Sequence, residues 1–153
     1  MLKRFAPIPW LRGIEIISGF AGALTCQFVS ASFALSELSL RDGHPGALFP
    51  TPGIYFIEIM LIGLVGFISI ANPSAINSKI WKSFSWICGG ILMAFVILGA
   101  WTIGFPLIPG MLAFLIPGIL SDFRQKDDIA LHIIYFISAG LAQSTFVFLI
   151  LFL

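Results

Sequence analysis

Glu58 is the side chain whose setting most invites chemistry. It stands in the apolar run Gly53-Ile-Tyr-Phe-Ile-Glu-Ile-Met, one acid among large hydrophobes. Burying a carboxylate there is costly, which makes Glu58 a candidate functional intramembrane acid. Structural outlets also exist: snorkelling to headgroups, protonation, or a bond to a neighbouring helix or to Arg41. Glu15 follows Arg12 by three residues, and an i, i+3 ion pair accounts for it. His44 lies near Asp42, and His132 begins the last apolar run; neither has a ligand-spaced partner. Asp127 and Asp128 lack a second acidic cluster, and capping of the next helix explains them. Cys26 and Cys88 both fall in apolar runs and read as small buried hydrophobes. No nucleophile elbow, phosphate-binding glycine loop, HExxH or CxxC occurs. The expectation is therefore no catalytic, cofactor-binding or metal residue, no cofactor, and a non-enzymatic protein. The enzymatic alternative is a small intramembrane enzyme acting on a lipid or isoprenoid, with Glu58 as general acid or base.

The elements that must position these residues are membrane spans. Hydrophobic residues make up 59% of the 153, charged residues 10%, and mean hydropathy is +1.06. A soluble domain of this size cannot hide so much apolar surface, so the bilayer must act as solvent. A net charge of +1 gives no basic face for nucleic acid. Lys3, Arg4, Arg12, Lys79, Lys82, Arg124 and Lys126 fall in three segments that a five-span reading places on one side; only Arg41 falls on the other. Lys and Arg are retained in the cytoplasm, so the amino terminus is expected inside and the carboxy terminus outside. The localisation that follows is multi-pass, in the cell (inner) membrane.

The expected fold class is an all-α membrane protein with five transmembrane helices in one polytopic domain, residues 1–153. The spans are read at about 13–35, 53–71, 83–103, 107–120 and 129–153, with an outer loop over 36–52. The first run is too long for a signal core and reads as a retained anchor. Residues 83–120 form 38 positions without a charge, about 57 Å as one helix and nearly twice the hydrocarbon thickness. That stretch must fold back. Gly104-Phe105-Pro106-Leu107-Ile108-Pro109-Gly110 predicts the break, making spans three and four a tight Gly/Pro-broken hairpin. Span four is short and carries Pro117, which predicts a kink or, as an alternative, a re-entrant segment.

Small residues recur at four-residue spacing: Gly19 and Ala23, Gly90 and Ala94, Ser138 and Ala142, Gly140 and Ser144. Such spacing lets helix backbones approach closely. The rest of the apolar surface suits lipid and equally a larger membrane subunit. No convergent polar path suggests a stand-alone transporter. The expected partners are the lipid bilayer, a larger membrane subunit and an extracytoplasmic protein, with no nucleic acid. The outer loop offers Arg41, Asp42, His44, Leu48 and Phe49 as a partner-binding loop; the plainer reading is a connector that covers helix ends.

The arrangement resembles the small membrane subunit of tripartite tricarboxylate transporters. The residues that carry the resemblance are the Gly-rich opening Gly13 to Gly22 and the loop Pro45-Gly46-Ala47-Leu48-Phe49-Pro50 before span two. Gly104-Phe105 between close apolar segments and the basic turn Phe123-Arg124-Gln125-Lys126 complete it. The resemblance implies a non-catalytic partner of a large transporting subunit, and no binding residue carries over from it. An accessory subunit of a respiratory or photosynthetic complex is the alternative.

Overall fold

The computed structural model describes residues 9–40, 48, 51–72, 79–125 and 129–152. Every regular element among them is helical. α1 spans Pro9–Leu40, α2 Gly53–Ala71, α3 Lys79–Leu98, α4 Phe105–Gln125 and α5 Ile129–Phe152, with a π-helical turn over Ala100–Gly104. Trp10–Leu40, Gly53–Ala71, Thr102–Phe123 and Ile129–Ile150 are each long and apolar enough to cross a membrane; the apolar stretch Ser83–Leu98 of α3 is shorter. Large apolar side chains point outward, among them Ile17, Phe28, Phe123 and Leu141, whereas Glu15, Asp122, His132 and Gln143 are buried. Polar inside and apolar outside inverts a soluble protein and is consistent with a helical membrane protein.

Packing follows the small residues. α1 packs on α2 and α4, α3 on α4 and α5, and α2 more lightly on α3. Phe114 of α4 is the central wedge, fully buried between Gly22 of α1 and Gly66 of α2. A Cβ at Gly66 would stand 2.6 Å from its ring. Gly90 and Gly140 bring α3 against α5 so closely that a Cβ on Gly90 would lie 2.1 Å from the Phe136 carbonyl oxygen. By contrast, Ser138 and Ala142 are exposed.

Several boundaries differ from the sequence expectation. α1 continues through Ser36-Glu37-Leu38-Ser39-Leu40, because that segment holds no glycine or proline. α3 gives way to α4 through the π-helical turn Ala100–Gly104, with Gly104 N–H donating to Gly99 O at 2.7 Å and Thr102 N–H to the same oxygen at 2.9 Å. A Cβ on Gly104 would stand 2.5 Å from Val96 O, so glycine is required there. Pro106 falls in the first turn of α4, where no donor is needed. Pro109 and Pro117 lie inside α4, which is 21 residues long and not short. Proline removes an intrahelical hydrogen bond, and the carbonyl four residues before Pro117 is Ala113 O. It accepts Ser18 Oγ from α1 at 2.7 Å, and the next carbonyl, Phe114 O, accepts Ser85 Oγ from α3. Neighbouring helices thus complete α4, as a Pro-containing helix in lipid requires.

Candidate functional site

The ends of three helices meet at one buried cluster. On α3, Trp86 lies over Gly118 of α4, where a Cβ would come 2.9 Å from the indole nitrogen. One turn further along α4 is Asp122, buried at 1% exposure. Its Oδ2 accepts the Trp86 indole N–H at 3.1 Å and lies 2.9 Å from His132 Nδ1. His132, in the first turn of α5, stacks on Trp86 with ring centroids 6.2 Å apart and planes 11° apart. Phe136, one turn on, meets Trp86 edge-on at 6.4 Å. Where Asp122 is ionised it can only accept, and His132 Nδ1 is then the donor of this contact. The pair can therefore orient an imidazole and hold a proton while tying α3, α4 and α5 together.

A second polar knot joins α1 to the end of α2. Arg12 donates to Glu15 Oε2 at 2.9 Å, the pairing that the three-residue spacing predicts. It also donates to Ile70 O, and to Asn72 O at 3.3 Å. These are terminal carbonyls of α2, and a cation there complements the negative end of the helix dipole.

Glu58 is half-buried on α2, and Gln143 reaches it from α5. Glu58 Oε2, Gln143 Nε2 and Tyr55 Oη are buried without a hydrogen-bond partner among the described residues. Glu58 Oε2 is therefore turned away from the exposed surface of α2. Of the loop residues, Leu48 is half-buried; Arg41, Asp42, His44 and Phe49 lie outside the described residues, as do Asp127 and Asp128. Cys26 and Cys88 are free, buried thiols in one core cluster.

Sequence reasoning does not single out Asp122, which the end of α4 sets beside His132 at the start of α5. The readable signal was a carboxylate and an imidazole ten residues apart, flanking one turn. Among the described residues, no three His, Cys, Asp or Glu side chains gather to hold a metal ion. Comparison with protein-family models, curated proteins and solved structures finds no match for this chain.

Proposed function

We propose that this chain is a non-enzymatic small integral membrane subunit of a larger membrane complex. It crosses the bilayer five times, amino terminus inside, with α3 and α4 as consecutive crossings. Its most specific form is the small subunit of a carboxylate transporter, and an accessory respiratory or photosynthetic subunit is the alternative form. One observation carries the reading. On α5 the Gly140 spacing is used against Gly90 within the chain, while Ser138 and Ala142 present the same spacing outward. Only 6% of the apolar window of α5 is buried. Small-residue spacing serves close helix contact, which lipid alone does not need.

Native mass measurement after mild-detergent purification tests it. The wild type should run as a complex with a larger chain, and Ser138→Leu with Ala142→Leu should release the small chain still folded. A stable lone wild-type monomer would overturn the proposal. A carboxylate permease as the large chain supports the transporter form; quinone or cytochrome subunits support the respiratory or photosynthetic one.

The Asp122–His132 pair favours a second reading, an intramembrane enzyme whose base is His132 and not Glu58. Normal assembly of His132→Gln with loss of function would support it; unchanged function would remove it.

A further inference from the structure

Among the described residues, Glu58 Oε2, Tyr55 Oη and Gln143 Nε2 are buried without a hydrogen-bond partner. Tyr55 and Glu58 stand three residues apart on α2 and so share a helix face. Gln143, itself buried, comes to the Glu58 carboxyl from α5. Glu58 and Gln143 lie about one helical turn inside Tyr55 and Val147, which line a groove of about 690 Å³ where α1 finishes and α2 begins. No described cation answers the carboxyl. Arg12 of α1 pairs with Glu15 at the opposite end of the molecule, and α3 begins at that end with Lys79 and Lys82. Asp122 of α4 and His132 of α5 meet each other there as well. Toward the groove α1 carries another acid, Glu37, and the titratable groups in the core between α1 and α3 are the thiols Cys26 and Cys88.

We propose that Glu58 is an exchangeable proton-binding site inside the membrane, held by Gln143 and Tyr55. A carboxylate inside a span, with neither a cation nor a completed hydrogen bond at its buried oxygen, is costly to keep. A proton on Oε2 removes that charge and turns an acceptor into a donor. The Tyr55 hydroxyl and the Gln143 amide each carry an oxygen that can accept from it, the amide by turning over. Loading takes the proton from hydronium and leaves water; unloading returns it to water and restores the carboxylate. The inference rests on the helices sitting in a bilayer and needs no partner subunit.

The test is infrared difference spectroscopy on the full chain in lipid nanodiscs, with and without isotope-labelled glutamate. The chain has three glutamates, Glu15, Glu37 and Glu58, so the label separates them from the aspartates. A solvated glutamate, with a pKa of about 4.3, is ionised at neutral pH and shows no acid carbonyl band. The wild type should show a label-sensitive acid band at neutral pH, lost on raising the pH and regained on lowering it. Glu58→Gln should abolish the band, and Glu37→Gln should leave it in place. Gln143→Leu should move both its frequency and its titration midpoint at unchanged helicity, which a merely space-filling Gln143 would not do. If Glu58→Gln does not fold, the Gln143→Leu shift makes the assignment instead. Absence of the band at neutral pH, its survival in Glu58→Gln, its persistence at every pH, or its indifference to Gln143→Leu would each overturn the proposal. Failure to recover a larger subunit would leave the band unmoved.

Discussion

Asp122 Oδ2 carries two donors at once, and substitutions there are graded by how many they leave unmet. Asp122→Ala strands the Trp86 indole N–H and His132 Nδ1 in a buried site, at about 1–3 kcal/mol for each. Asp122→Asn keeps the shape, but its amide cannot accept from both donors when it is turned to satisfy its own N–H groups. Trp86→Phe removes one donor and retains the ring against His132. Unfolding midpoints in mixed micelles should fall in the order Asp122→Ala, Asp122→Asn, Trp86→Phe, with the alanine variant lowest. An Asp122→Asn midpoint equal to wild type would show that the shared oxygen contributes nothing. A steric case stands beside this electrostatic one. Gly90→Ala sets a methyl group against the Phe136 carbonyl, and backbone cannot swing aside as a flexible side chain can. The cost expected is ~1–3 kcal/mol, read as loss of α3–α5 contact by crosslinking. Gly90 was legible in the sequence because small-residue spacing is a local pattern. The Asp122–His132 pair was not: it depends on the rotational phase of two helix ends, which a connector's composition does not state.

Helix α4 is complete only in company. Pro117 leaves Ala113 O without its usual donor, and Ser18 supplies one from α1. Ser18→Ala should therefore destabilise the wild type by about 1–3 kcal/mol. In a Pro117→Ala background the restored N–H takes over, and the same change should cost much less. A coupling of about 1 kcal/mol in this double-mutant cycle is the expected outcome; strict additivity would detach Ser18 from Pro117. The bounds of α2 were legible, since Gly53 opens it after Pro52 and Asn72-Pro73 closes it. The ends of α1 and α4 were not. In α1 a few polar residues have the composition of a loop although nothing in them breaks a helix. In α4 the prolines predict breaks from sequence alone, whereas a hydroxyl far away in sequence supplies the donor that Pro117 lacks.

At the scale of the molecule, the two ends differ in chemistry. The beginnings of α1, α3 and α5 share one end with the finishes of α2 and α4, and that end holds Arg12, Glu15, Asp122 and His132. The groove lies at the other. Under five crossings, cysteines placed at exposed Ser36 and Thr102 should react with an impermeant reagent from outside. One at exposed Phe123 should react only after the membrane is opened. Native Cys26 and Cys88 are buried and give little background. Labelling of Phe123→Cys and Thr102→Cys from the same side would end the five-crossing reading. The serine donors to α4 have one more consequence, which concerns the order of synthesis. Ser18 and Ser85 both precede α4 in the chain, so a ribosome delivers the donors before the carbonyls that need them. Helix α4 then enters a membrane where the donors to its carbonyls are already in place, and α5 arrives last onto a finished surface. An insertion assay should find α4 integrating well behind α1–α3 and poorly when α4 is offered first.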